Sequence, residues 1–117
     1  MAQLRYKMRL RIYKEDLAFG PGVAMLMEYI DQTCSLSEAC RKMEMAYSKG
    51  WKILKRAEND MGFLLVEGTR GGTHGGKMVL TDEGKELLHR YRIFEQKVQE
   101  TADEMFQKYI LEGVSEK

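Results

Sequence analysis

Hydrophobic and cationic residues alternate strictly over residues 4–12, and this period of two is typical of a β-strand with one buried face. Residues 14–16 are charged and indicate a turn, after which residues 17–19 can return as a short second strand. The sequence therefore predicts an amino-terminal β-hairpin. We interpret its cationic face as a solvated strand face in preference to a contact with an anionic partner, because exposed edge strands commonly carry lysine and arginine.

Helical spacing replaces this alternation after the break at residues 20–22. Apolar residues then recur at every third or fourth position, which predicts a first helix ending near Gln32 or Thr33. Ser35 with Glu38 three residues later forms a capping box, the usual start of a helix. The chain is therefore expected to form a short second helix that ends near residue 43.

A third helix is predicted over residues 46–60, after a tight turn, with Trp51 and Leu54 facing inward. Two short apolar runs, at residues 63–66 and 78–80, then flank a glycine-rich basic segment and predict a second hairpin. Two helices joined by a tight turn and followed by a basic hairpin form a winged helix-turn-helix. The predicted fold class is α+β with this architecture.

Thr81 is a suitable N-cap for a final long helix. Apolar side chains along this helix recur at alternating steps of four and three, which is the spacing of a coiled-coil seam. Because no other segment is expected to cover its second half, a partner subunit is predicted there, and the chain is expected to form a homodimer. The residues predicted at the dimer interface are Tyr91, Phe94, Val98 and Met105.

The length and the charge of the chain limit its function. The 117 residues suit one structural unit, in which residues 1–80 form the winged domain with its hairpin and residues 81–117 form the dimerisation helix and a frayed tail. The net charge is only +1, but residues 41–56 carry six lysines and arginines against one acid. This segregation favours a local surface for a polyanion. The chain has neither a membrane-length apolar run nor a signal peptide pattern, so a cytoplasmic location without a membrane partner is expected.

The candidate chemical motifs do not form a catalytic or metal site. Cys34 and Cys40 match neither a redox pair nor a zinc pair, and both are expected to be small core residues. Residues 71–77 satisfy the glycine and lysine spacing of a phosphate-binding loop, but Met78 stands where the magnesium-binding hydroxyl is needed, and a strand follows instead of a helix. We therefore expect no enzyme activity, no cofactor and no metal.

DNA recognition by a winged helix uses the amino-terminal part of the third helix in the major groove, while later cations meet phosphates. The wing can reach the flanking backbone or the minor groove. The residues predicted to contact the groove are Tyr47, Ser48, Lys49 and Lys52, those predicted to contact phosphates are Lys55 and Arg56, and those predicted in the wing are Arg70, Thr73, His74 and Lys77.

Two stretches of the chain, GPGVAMLMEYIDQTCSLSEACRKMEMAYSKGWKIL and VEGTRGGTHGGKMVLTDEGKELLHRY, resemble the amino-terminal winged-helix domain of the ModE family of molybdate-responsive regulators and its LysR-like relatives. The most specific elements are residues 20–22, the spacing from Tyr47 to Trp51, and the paired glycines within residues 71–76. The resemblance implies a transcriptional regulator whose dimer binds a palindromic operator in double-stranded DNA. Because the sequence ends where the oxyanion-binding domains begin in that family, molybdate sensing is not expected.

The chain departs from the family pattern at three positions. Glu44 replaces the usual glycine of the turn, Ala46 replaces the serine that opens the recognition helix, and Gly50 replaces an alanine. Ala46 lacks a capping hydroxyl, so a modest DNA affinity is expected. Two alternatives remain open: a MarR-like regulator, and a winged-helix module that binds another protein and leaves its cations solvated.

Overall fold

The protein is an α+β winged helix-turn-helix with a long carboxy-terminal helix, as the sequence predicts. The structure, a computed structural model, describes residues 3–68 and 77–112. Its elements in chain order are β1 (Ile12–Tyr13), β2 (Leu17–Phe19), α1 (Pro21–Thr33), α2 (Leu36–Lys42), α3 (Tyr47–Met61), β3 (Val66–Gly68), β4 (Met78–Leu80), α4 (Asp82–Phe106) and a π-helical segment (Gln107–Leu111).

The amino-terminal hairpin is shorter than predicted. β1 pairs with β2 in an antiparallel arrangement, but residues 3–11 form no strand. We call residues 3–11 the N-terminal arm. The Tyr91 hydroxyl donates a hydrogen bond of 2.7 Å to the Leu10 carbonyl, and the Tyr6 ring packs against Phe106 with centroids 4.9 Å apart. The arm therefore lies along α4, because the three residues of β2 offer it no longer strand with which to pair.

Local signals fix the boundaries of the first two helices. α1 ends at Thr33, and α2 begins after Ser35, whose Oγ accepts the backbone N–H of Glu38 at 3.1 Å. Both boundaries agree with the predictions from helical spacing and the capping box. The turn between α2 and α3 places Glu44 at φ 55°, in the left-handed region where glycine is favoured. A glycine would adopt this conformation without the strain that the Glu44 side chain adds.

The base of the wing is fixed to the start of α4. Val66 in β3 pairs with Leu80 in β4. β3 begins at Val66, which is the last residue of the apolar run predicted at residues 63–66. Thr81 accepts the backbone N–H of Gly84 at 2.9 Å and donates its hydroxyl proton to the Leu64 carbonyl at 2.6 Å. The predicted cap therefore also links α4 to the segment before β3.

A single core joins the helix-turn-helix, the wing and the first half of α4. Its fully buried side chains come from five of the elements and one connecting segment, so these parts form one packed unit. The largest of them are Phe19, Leu26, Met27, Ile30, Cys40, Leu54, Leu65 and Tyr91.

Candidate nucleic-acid interface

α3 presents two neighbouring rows of side chains on its outer surface. Residues four apart lie nearly above one another on a helix, so Ser48, Lys52 and Arg56 form a polar row, and all three are exposed. The adjacent row begins with Tyr47 and Trp51, which are 53% and 41% exposed. The prediction that Trp51 faces inward is wrong: the buried side of α3 is formed by smaller residues and by Leu54.

Three cations of α3 have no acidic partner among the described residues. Lys49, Lys52 and Arg56 are exposed, and none of them forms a salt bridge within residues 3–68 and 77–112. Five other cations of the described chain form salt bridges, as Arg90 does with Glu86 at 2.8 Å, whereas cations of the N-terminal arm such as Arg5 and Arg9 form none among the described residues. The charge of these three side chains is therefore available to an anionic partner.

Lys55 differs from these three because its ammonium is engaged within the protein. Its Nζ donates to the Glu58 carboxylate at 3.0 Å and lies 4.4 Å from the centroid of the Trp51 ring. Glu58 is only 7% exposed, and it also accepts the backbone N–H groups of Leu65 and Val66 at 2.9 and 3.3 Å. A buried carboxylate needs such partners, so Glu58 connects α3 to the start of the wing.

Sequence reasoning missed the role of Glu58. The signal that could have identified it is an acid on the inward side of an otherwise cationic helix, three residues after Lys55. Because carboxylates are seldom buried without a partner, that position could have been examined for backbone donors in the following segment.

A shallow groove of about 560 Å³ follows the outer surface of α3 and reaches the amino-terminal hairpin. Four cations border it, and the apolar side chains in it come from α3 and from β2. Its lining residues are Leu17, Lys49, Trp51, Lys52, Ile53, Lys55 and Arg56. The groove thus combines positive charge with apolar surface, which is the combination that base edges and phosphates require.

The predicted wing contacts lie largely outside the described residues. Arg70, Thr73 and His74 lie outside the described residues. Lys77 is described, and it is exposed immediately before β4. β3 and β4 lie directly after α3 in the chain, and Glu58 holds the first residue of β3 against it.

The predicted dimer surface divides into a buried and an exposed part. Tyr91 is 2% exposed within its own protomer and packs edge-on against Phe19 with ring centroids 5.0 Å apart, so it belongs to the core and leaves little surface for a partner. Burial, assisted by Glu95, raises the pKa of Tyr91 to about 12. Phe94 and Met105 are exposed, and Val98 is partly buried.

The N-terminal arm covers a different side of α4 from the one predicted for the partner. Tyr6 donates to Asp103 and accepts from Gln99 at 2.6 Å, and these contacts lie on the same side of α4 as Phe106. The expectation that only a partner could cover Phe106 is therefore wrong. Val98 and Gln99 point about 100° apart on the helix, so the arm, which bonds Tyr91 through Leu10, leaves the later residues of the predicted seam open.

Other binding classes have few candidate residues in the part of the chain that is described. Those residues contain no group of three or more histidine, cysteine, aspartate or glutamate side chains placed to hold a metal ion. Among the described helices, none has the length and apolar composition needed to cross a membrane.

Two curated proteins resemble this chain over most of its length, while no family model matches it. It is 28% identical to the molybdenum transport protein ModE of Azotobacter vinelandii over 83 residues, which are 71% of this chain and 31% of that protein. It is 32% identical to the molybdenum-pterin-binding protein MopB of Rhodobacter capsulatus over 76 residues, 65% of this chain and 28% of that protein. The aligned region thus spans less than a third of either relative.

Proposed function

We propose that the chain is a sequence-specific regulator of transcription that binds double-stranded DNA as a homodimer, with α3 as the recognition helix. The observation that carries the proposal is the outer surface of α3, where Lys49, Lys52 and Arg56 are exposed and have no acidic partner among the described residues. Unpaired cations at this position of a winged helix can neutralise phosphates while neighbouring side chains reach base edges.

The similarity to ModE of Azotobacter vinelandii supports a regulatory function of this type, since it covers 71% of the present chain. Molybdenum, which both relatives carry in their names, is not part of the proposal for this chain. The aligned region is less than a third of each relative, so what their names say they bind or transport is not carried over to this chain.

The open row on α4 supports the dimeric form of the proposal. Phe94 and Met105 are exposed on the side of α4 that the N-terminal arm leaves free, and Met105 is 56% exposed. Large apolar side chains in one row commonly mark a subunit contact. A two-fold axis through this row would relate the two recognition helices, which is the symmetry of a palindromic operator.

Selection from random duplexes with the purified chain tests the proposal. We expect a palindrome to be enriched, and we expect its affinity to fall steeply with salt. If three cations of each protomer meet phosphates, the dimer makes about six such contacts, and affinity should fall about a thousandfold between about 50 and 200 mM salt.

Lys108→Ala is the matched control for this measurement, because Lys108 lies in the π-helical segment beyond α4, ~35 Å along the helix from the first turn of α4. Its removal should leave the salt dependence unchanged. A selection that enriches no duplex, or binding that does not respond to salt, would favour the module that binds another protein.

A further inference from the structure

The buried carboxylate of Glu58 organises one edge of α3. One carboxylate oxygen accepts the backbone N–H groups of Leu65 and Val66, and the other accepts the Lys55 ammonium at 3.0 Å. The side chain of Glu58 is 6% exposed, whereas that of Lys55 is 42% exposed. Glu58 is thus held in place by the start of the wing, and it in turn holds the amino group of Lys55.

Because Glu58 fixes the ammonium group of Lys55, the contact of this group with the indole ring of Trp51 also restricts the ring. The ammonium lies 4.4 Å from the ring centroid, within the range of a cation–π interaction. A lysine that donates to a buried carboxylate and lies on an aromatic face has little freedom to reach a phosphate. Lys52, three residues earlier on α3, has no acidic partner among the described residues and provides the contrast.

Trp51 keeps 41% of its surface exposed although Lys55 occupies one face of its ring. It lies one turn after Tyr47, in the first half of α3, which is the part of a recognition helix that enters the major groove. The apolar part of an aromatic ring at this place fits the C5 methyl group of thymine, the apolar group that the major groove presents.

We propose, on the basis of the DNA-binding function proposed above, that Trp51 determines sequence specificity by contacting a thymine methyl group. Lys55 is then a positioning residue for the indole ring and makes no phosphate contact. This assignment differs from the sequence prediction, which places Lys55 on a phosphate. It locates the specific contact on the aromatic row of α3 and the electrostatic contacts on the row of Ser48, Lys52 and Arg56.

Replacing thymine by uracil in the selected operator tests the contact of Trp51, because uracil lacks only the C5 methyl group. Each thymine is replaced in both half-sites, and binding is measured for the wild type and for Trp51→Ala. One thymine position should weaken wild-type binding about fourfold per half-site, the equivalent of one buried methyl group. The same replacement should not weaken binding by Trp51→Ala. If no thymine position distinguishes the two proteins, the proposed contact is wrong.

The role of Lys55 is tested by comparing Lys55→Met with Lys52→Met. Lys55→Met should weaken binding about two- to fivefold and reduce the preference for thymine over uracil, while the slope of affinity against salt stays unchanged. Lys55→Arg should restore that preference, because a guanidinium can bind the carboxylate and stack on the indole. Lys52→Met should reduce the slope by about 0.9 for each phosphate that is no longer neutralised. A comparable decrease of the slope in Lys55→Met would make Lys55 a phosphate contact and overturn its positioning role.

A measurement without DNA separates this inference from the proposed function. Trp51 is the only tryptophan of the chain, so its emission reports directly on the contact with Lys55. Lys55→Met should change this emission, and Lys52→Met should not. Normal helical circular dichroism of Trp51→Ala shows that its fold is intact.

If the wild type binds no duplex at all, the proposed function fails and the role of Trp51 fails with it. If the wild type binds DNA but shows no thymine effect, only this inference fails.

Discussion

Replacing Gly50 by alanine is expected to destabilise the protein even though alanine is the better helix former. A Cβ atom built on Gly50 would lie 2.3 Å from the Sγ atom of Cys40, far inside contact distance. Both residues are buried between α2 and α3. Overpacking of this kind costs about 1 to 3 kcal/mol, and the helix propensity of alanine returns only about 1 kcal/mol. We therefore expect Gly50→Ala to lower the free energy of unfolding by roughly 1 kcal/mol, within a range of about 0 to 2.

Cys40→Ala should rescue this destabilisation. The single variant Cys40→Ala removes a buried sulfur and should cost about 1 kcal/mol through the space it leaves. In the double variant the new methyl group at position 50 enters that space, so the stability should return close to that of the wild type. The two substitutions should therefore show a favourable coupling of about 1 to 3 kcal/mol.

Urea unfolding followed by circular dichroism measures all four proteins, at one fixed protein concentration because the stability of a dimer depends on it. Gly22→Ala is the control: a Cβ at Gly22, in α1, meets no heavy atom within 4 Å, so this substitution should not couple to Cys40→Ala. If Gly50→Ala is more stable than the wild type, or if the effects of the two substitutions add within about 0.5 kcal/mol, the steric reasoning is refuted.

The surfaces of α3 and α4 and the two cysteines lead to three further predictions. Replacing Lys49 by alanine should weaken operator binding by about 1 to 3 kcal/mol if it removes a base contact, and replacing Lys52 should weaken it less because Lys52 meets a phosphate; neither should change the melting temperature, as measured by fluorescence anisotropy and calorimetry. Val98→Asp would bury an unpaired charge at the proposed seam, so sedimentation should find a dimeric wild type and a monomeric variant; a dimeric variant would exclude this row of α4. Burial raises the pKa of the Cys40 thiol, which keeps it protonated at neutral pH, so mass spectrometry should find that iodoacetamide modifies the less buried Cys34 first; equal rates would contradict the burial.

The helix-turn-helix could be predicted from the sequence because its signals are local. The Ser35 hydroxyl and the Glu38 backbone N–H that it caps are three residues apart, and the left-handed cap at Gly62 follows directly from the end of α3. The same holds for Thr81 at the start of α4. Caps of this kind involve groups within one turn of helix, so the residues that specify them are visible in a short window of sequence.

The N-terminal arm could not be predicted because its partner is distant in the chain. The alternation over residues 4–12 predicts a buried face only in part, because Leu4 and Met8 are exposed, and it does not distinguish a neighbouring strand from a helix. The hydroxyl of Tyr6 meets α4 93 residues away, at Gln99, and the hydroxyl of Tyr91 donates to the carbonyl of Leu10, 81 residues earlier. Only tertiary packing decides between these arrangements, and it overrides the local preference for a strand.

The orientation of Trp51 differs from the prediction for a steric reason. The helical period places Trp51 near the buried side of α3, but the indole ring is too large for that side. Its neighbours on the inward side of α3 are Gly50 and Leu54, and Gly50 lies against the Cys40 thiol. Such a close approach of α2 and α3 leaves no volume for an indole, so the ring lies at the edge of the helix, where Lys55 covers one face. Large exposed apolar groups commonly mark interaction sites. A surface that has one beside three cations without acidic partners in the described part of the chain is suited to a partner that offers both phosphates and apolar methyl groups. Duplex DNA has both of these features, which connects the packing of Cys40 on Gly50 to the recognition surface proposed for α3.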